Sequence, residues 1–242
     1  MTTLRARIKR IPYASHPIVY RLLQWTVSLL VRILYRYRVY GRENLPKTGS
    51  AMLVVNHLHL LDPVVVAAGV GRQVVTLVAE KWRENKFVSL FFQGAGVIFV
   101  NRGEVDRRAL RACQQVLEAG GMLAVAPEGT RSRQGMLQRA KPGVAYLATR
   151  TNALIVPVAF WGVEKLREWK RLRRPTCHVV IGEPFRLPEV EGRLTTERLQ
   201  ELADGVMVRI GELLPEGYRG FYAPLIQSLD SGSDGERAPA TV

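Results

Sequence analysis

His57 and Asp62 stand five residues apart in the stretch Val54-Val55-Asn56-His57-Leu58-His59-Leu60-Leu61-Asp62-Pro63. A carboxylate on one ring nitrogen fixes an imidazole's tautomer and leaves the other nitrogen free to take a proton. A tight turn between the two residues would fold Asp62 back onto the His57 ring and create such a base. The same residues admit two other readings. Asp62 can cap a helix that opens at Pro63, with His57 an ordinary loop residue. Alternatively, His57, His59 and Asp62 can serve as metal ligands, although no further ligand follows at a recognisable spacing.

Two further stretches carry groups suited to an anion. Gly96-Val97-Ile98-Phe99-Val100-Asn101-Arg102-Gly103 sets Arg102 directly after an apolar run. Val125-Ala126-Pro127-Glu128-Gly129-Thr130-Arg131-Ser132-Arg133 follows another such run. There Gly129 permits an unusual backbone angle and close ligand approach, and Arg131 offers forked contacts to phosphate. Glu128 can hold an arginine in place or accept a hydroxyl from a substrate. Taken singly, Arg102 reads equally as a surface arginine and the Glu128–Arg131 stretch as a polar turn.

The elements that must position these residues are written as alternating apolar runs and helix-like stretches. Strands are predicted near Arg38–Gly41 and over Ala51–Val55, Val74–Ala79, Val97–Val100, Met122–Ala126, Leu154–Phe160 and His178–Ile181. Helices are predicted over Pro63–Val70, Phe87–Gln93, Val105–Glu118, Gly143–Thr149, Lys165–Leu172 and Glu197–Leu214, the last with Thr195 or Thr196 as cap. Continuous apolar strands between helices indicate an α/β fold, a single layered domain with a largely buried sheet flanked by helices. Open α/β sheets bind ligands beyond the carboxyl ends of their strands, where all three stretches fall.

In this order the stretches resemble the glycerolipid acyltransferase family, of the 1-acylglycerol-3-phosphate acyltransferase type. The family's His-x4-Asp block matches His57 through Asp62, its Gly-x-x-Phe-x-x-Arg block Gly96 through Arg102, and its Glu-Gly-Thr-Arg-Ser block Glu128 through Ser132. A weaker apolar block with an internal proline matches Ile155-Val156-Pro157-Val158. Many relatives have serine where this chain has His59.

The resemblance implies a mixed sheet. It implies transfer of a fatty acyl group from an acyl thioester, on acyl carrier protein or coenzyme A, to the sn-2 hydroxyl of lysophosphatidic acid. His57 would be the base and Asp62 its orienting partner. Arg102, Glu128, Gly129, Thr130 and Arg131 would form the acceptor site. No metal or redox cofactor is implied, since the thioester is a co-substrate, and no serine or cysteine nucleophile elbow is visible. A relative acting on another lysophospholipid or a lyso-aminolipid would carry the same motifs.

Charge and composition bound the rest. The 242 residues are 47% hydrophobic and 23% charged with a net charge of +14, which excludes a disordered or fibrous chain. Two cysteines are too few for a disulfide framework, so a reducing, cytosol-facing compartment is expected. Arginines outnumber lysines 28 to 7, which suits phosphate partners, either phospholipid or nucleic acid. A non-enzymatic nucleic-acid binder would account for the charge but for none of the motifs, and no nucleic-acid motif is present.

Residues 1–42 carry nine cations and no acid. Within them, a helix near Leu22–Val31 would set Arg21, Gln24, Ser28, Arg32 and Arg36 on one stripe, with leucines and Ile33 opposite and Trp25 at the border. The apolar stretch is short for a membrane span and lacks a small-residue cleavage site. It reads as a helix lying in a membrane interface or as one packed on the core, and a lipid-modifying enzyme requires the first. The cluster Lys165, Arg167, Lys170, Arg171, Arg173 and Arg174, with Trp161 and Trp169, is either a second membrane contact or a solvated helix face.

The expected organisation is an amphipathic membrane-association segment over 1–42, an acyltransferase domain over 43–227 and a disordered tail over 228–242. The expected location is the cell membrane, peripheral or monotopic, with the active site facing the cytoplasm.

Overall fold

The computed structural model describes residues 11–84, 86–101, 106–189 and 192–233. Helix α1 (Pro17–Leu34) leads into β1 (Arg36–Tyr40). There follow β2 (Ala51–Val55), α2 (Asp62–Gly69), β3 (Val74–Ala79), α3 (Lys86–Ala95), β4 (Val97–Val100), α4 (Arg107–Glu118), β5 (Met122–Val125) and α5 (Gly143–Thr151). The chain closes with β6 (Leu154–Trp161), a 3₁₀ segment (Val163–Arg171), β7 (Thr176–Ile181), α6 (Thr196–Glu212) and α7 (Ala223–Ser233).

The strands form one sheet in the order β1-β7-β6-β2-β5-β3-β4, parallel throughout except where β7 runs against β6. Side-chain alternation on β2 divides the interior into two layers. Ala51, Leu53 and Val55 face α1 and α2, while Met52 and Val54 face α4, α5 and α6. β2 is wholly buried because it has a layer on each side. Pro157 sits inside β6, where its missing N–H costs little. The β7 ladder begins only at Val158, and Pro157 instead accepts from the Gly182 N–H at 2.9 Å.

Gly96 starts the second motif at a point of close crossing. Its φ is +78°, and a Cβ there would lie 3.0 Å from the Tyr13 carbonyl oxygen and 3.3 Å from the Ser15 nitrogen. Glycine is required both by the backbone angle and by the chain passing over it.

The structure corrects the expected boundaries at both ends. Arg36–Tyr40 is a strand of the domain sheet, paired with Thr176–Val180, so residues 36–42 belong to the domain. Tyr35 is fully buried and donates to the Val163 carbonyl at 2.8 Å. At the other end, Ser228–Ser233 complete α7 and are not disordered. Ile226 of α7 is buried against Gly211 of α6, where a Cβ would collide with it. This apolar anchor outweighs the Ser- and Gly-rich composition that follows. Residues 234–242 lie outside the described residues. The helix predicted over Lys165–Leu172 is the 3₁₀ segment.

α1 combines the two readings of its sequence. Its inner face is fixed to the domain. Tyr20 accepts from the Val74 N–H at 3.1 Å, and the Gln24 amide donates to the Ala67 carbonyl at 3.0 Å and to the Val70 carbonyl. Its outer face leaves Ile18, Leu22, Trp25, Leu29, Leu30 and Ile33 exposed, with Arg21 and Arg32 also in solvent. Its length and hydropathy would suffice to cross a membrane, but Gln24 faces inward rather than joining a polar outer stripe.

Candidate active site

β2 delivers the site residue by residue. Asn56, fully buried at the strand's end, donates to the Phe160 carbonyl at 2.8 Å and accepts from the Phe160 N–H at 2.9 Å. This pair of bonds fixes the end of β2 to β6. The chain then turns through His57–Leu61 into α2. Asp62 is the first residue of that helix, but its side chain does not cap it. The carboxylate turns back instead. Its Oδ2 lies 2.7 Å from His57 Nδ1 and accepts from the Leu58 and His59 N–H groups at 2.7 and 2.8 Å.

The carboxylate on Nδ1 places the ring proton there and leaves Nε2 as the free base. His57 retains 16% side-chain exposure, and Asp62 3%. Burial raises the Asp62 carboxyl above its ordinary pKa, against the pull of the His57 ring and the two N–H groups. Its other oxygen, Oδ1, is buried and accepts no hydrogen bond among the described residues. A desolvated anion with one bare oxygen stabilises the imidazolium that forms when His57 takes a proton.

The Glu128 loop is tied to the same turn. Glu128 Oε1 accepts from the His57 N–H at 2.9 Å, and Oε2 accepts from the Gln138 N–H and side-chain amide at 3.0 and 3.2 Å. The Ser132 N–H donates to the His57 carbonyl at 2.8 Å. Glu128 is therefore a buried bracket that holds the turn carrying the base. Burial pushes its carboxyl up to about 7, partly offset by the donors from His57 and Gln138.

Not every expected site residue converges here. Arg102 lies outside the described residues. Thr130 and Arg131 are exposed beside the turn. His59 accepts from the Leu61 N–H at 3.3 Å through Nδ1, so it supports the turn. Among the described residues no three His, Cys, Asp or Glu side chains gather as a metal site.

Lys141 was missed by the sequence reading. Its alkyl chain lies over Gly129, 3.0 Å from where a Cβ would stand, with the Gly129 φ at +68°. A cation at the entrance to α5 opposes the helix dipole, and that misplacement was the available signal.

His57 opens on a cavity of about 1160 Å³. Lys141, Gly129 and Pro127 line it near the base, and Arg107 and Arg111 line it from α4. Leu23 and Val27 of α1, Val66 of α2, Val78 of β3 and Phe91 and Phe92 of α3 give it an apolar wall. A cationic mouth and a greasy interior suit a phosphorylated lipid. The thiol of Cys113, also on this wall, is pushed up to about 12 by burial and is unsuited to nucleophilic attack.

Two predictions follow from this geometry. His57→Ala should lower turnover by about 10²–10⁴-fold. Asp62→Asn should lower it comparably while leaving the thermal midpoint unchanged or higher, since it removes a buried charge. A large fall in that midpoint would mean that an amide oxygen cannot replace Oδ2 in holding the turn.

Glu128 governs a pH effect. Its folded pKa of about 7 exceeds the ordinary 4.5. Between these values the folded state holds a proton that the unfolded state has lost, so stability falls as pH rises. The contribution is fully present below about 4.5 and lost above about 7, roughly 3 kcal/mol in all. Glu128→Gln should flatten that slope in thermal unfolding from pH 5 to 7. Parallel curves for both proteins would contradict it.

The profile of the acyltransferase family matches residues 36–161. The 1-acyl-sn-glycerol-3-phosphate acyltransferase of Borreliella burgdorferi is 30% identical over 125 residues, covering 51% of this chain and 50% of that protein. The match thus spans about half the length of that relative. The Bacillus subtilis protein of the same name is 24% identical over 177 residues, 73% of this chain and 87% of its own. The crystal structure of the 1-acyl-sn-glycerophosphate (LPA) acyltransferase PlsC from Thermotoga maritima superposes with a TM-score of 0.61 at 23% identity, over 80% of this chain and 79% of that one. That likeness is one of fold. The family match takes in β1 through β6, more than half the chain, and with them the His57–Asp62 pair and the Glu128 bracket: the chain belongs to the acyltransferase family.

Proposed function

We propose that the protein transfers a fatty acyl group from an acyl thioester to the sn-2 hydroxyl of 1-acyl-glycerol-3-phosphate, yielding phosphatidic acid for phospholipid synthesis. The observation that carries this reading is the His57–Asp62 pair at the mouth of a cavity that is cationic outside and apolar within. The names of the relatives support the choice of acceptor.

In this reading the acceptor hydroxyl gives its proton to His57 Nε2 as its oxygen attacks the thioester carbonyl. Asp62 stabilises the imidazolium. The tetrahedral intermediate then collapses, the C–S bond breaks, and the thiolate takes the proton back from Nε2. The thioester supplies the driving force, so the step needs no redox group or metal. The donor is acyl carrier protein or coenzyme A, each bearing the same thioester. Lys141 and Arg131, with Arg102 from the second motif, hold the acceptor phosphate, and the apolar wall takes acyl chain. Gly129 lets the Lys141 chain lie against the Glu128 loop.

The enzyme rests on the cytoplasmic face of the cell membrane as a monotopic protein, with α1 lying in the interface. An exposed face of Ile18, Leu22, Trp25, Leu29, Leu30 and Ile33 supports this, because monomeric soluble surfaces rarely carry so continuous an apolar strip. Leu90 and Phe91 of the neighbouring α3 are exposed as well.

An acyl thioester assayed with lysophosphatidate, other lysophospholipids and a lyso-aminolipid tests the acceptor. Lys141→Ala should lower kcat/KM for the phosphate-bearing acceptor by about ten- to a hundredfold, the cost of one charged hydrogen bond, and spare a neutral acceptor. Equal losses on both would make Lys141 structural.

The membrane reading has its own test. Leu22→Glu/Leu29→Glu alters only exposed positions, and should weaken vesicle binding at least about tenfold, since each leucine contributes roughly 1.5 kcal/mol or more when buried. Turnover of a short-chain, monomeric acceptor should survive. Unchanged binding would place the membrane contact elsewhere.

A further inference from the structure

A second cavity, of about 570 Å³, lies at the β1-β7-β6 edge of the sheet, away from β3 and β4. Arg36 opens β1, Thr176 opens β7 and Trp161 closes β6, and all three line it. Because β7 runs against β6, these positions share one end of the sheet, the end at which β2 delivers His57.

The cavity carries more cations than anions. Arg36, Lys165, Arg173 and Arg174 line it beside a single carboxylate, Glu168. Among the described residues, none of the four cations has a carboxylate oxygen within ion-pair distance. Arg174 donates to the carbonyls of Arg32 and Tyr35, which ties the cavity to the end of α1. The wall is the His178 imidazole, stacked on Trp161 at 4.9 Å between ring centroids. Burial, then Arg38 and Lys165, hold this imidazole below its ordinary pKa. Four cations around one hollow, met by one carboxylate, leave it attractive to a further anion.

The rim is apolar. Trp169 is half-exposed and donates its indole N–H to the Leu34 carbonyl at 2.7 Å, at the end of α1. Leu172 is 95% exposed and held at a φ of +55°, a left-handed backbone that leucine rarely adopts. A leucine presented to solvent in that conformation, between two cationic arginines in sequence, matches the layering of a membrane surface. Cations meet phosphate, an indole sits at the boundary and an aliphatic tip goes deeper.

We propose that this cavity is a second, non-catalytic headgroup site, which takes the phosphate of an anionic phospholipid in the membrane on which the enzyme rests, with Trp169 and Leu172 entering the leaflet beside it. The assignment rests on the reading of α1 as the membrane-facing helix.

The test uses the full chain with vesicles of phosphatidylcholine alone and of phosphatidylcholine mixed with phosphatidylglycerol. Lys165→Ala/Arg173→Ala should bind neutral vesicles as the parent does and lose about tenfold in binding to the anionic ones. Arg150→Ala/Arg193→Ala, a pair of exposed cations outside the cavity, should keep the anionic preference. Titration with dihexanoyl phosphatidylglycerol, but not dihexanoyl phosphatidylcholine, should shift the His178 imidazole resonances of the parent protein.

Equal losses for both pairs would reduce the effect to general charge and overturn the site. Equal shifts of His178 with inorganic phosphate at the same concentration would assign the cavity to a free anion. A loss confined to a single-stranded RNA probe would assign it to nucleic acid. If Leu22→Glu/Leu29→Glu bound neutral vesicles undiminished, the membrane reading would fail. If that variant behaved as expected while Lys165→Ala/Arg173→Ala kept full anionic binding, only the headgroup site would fail.

Discussion

One oxygen atom organises the catalytic end of this molecule. Asp62 Oδ2 gathers the His57 ring and two consecutive backbone N–H groups into a turn of six residues. Those N–H groups would otherwise be stranded between a buried strand and a helix, and the carboxylate would otherwise be an uncompensated buried charge. Each solves the other's problem. The arrangement explains why the chain switches from β2 to α2 in so few residues and why Pro63 follows at once, since the first turn of a helix is where proline fits.

The rest of the fold holds that turn still. Asn56 fixes it to β6 from below, and Glu128 and Ser132 fix it from the β5 loop. These supports come from distant parts of the sequence and meet because β2 is central, with β5 on one side and β6 on the other. Placing the base on the middle strand therefore does two things. It buries the supports, which strengthens their hydrogen bonds, and it leaves the crevice above the strand ends for substrate.

Much of this was legible from residue order. The apolar runs locate β2 through β7 closely, because a strand of a sheet covered by helices is apolar along most of its length. His57 and Asp62 were legible through the family resemblance of the ordered blocks, since their spacing alone left a helix cap or a metal site open. What escaped is what depends on the third dimension. For Glu128 the sequence offered an arginine or a substrate hydroxyl as partner, and nothing local shows that its oxygens accept from His57 and from Gln138 ten residues on. Asn56 gave only a faint sign, a polar residue closing an apolar strand. Composition misjudged Ser228–Ser233 because one buried isoleucine, Ile226, sets the fate of the helix. The polar stripe expected on α1 failed at Gln24, whose amide turns inward to satisfy the end of α2.

The pairing of β1 with β7 bears on the order of assembly. Tyr35 reaches Val163, 128 residues later, and the strand it introduces pairs with β7, near the far end of the domain. A ribosome exposes α1 and β1 long before that neighbour exists. Contacts so distant in sequence form late, because the loop they close must first be paid in entropy. α1, in contrast, finds α2 and α3 within the next segment of chain. The first helix can thus settle while the edge strand behind it waits, and the sheet is sealed on that side only when the chain has reached β7.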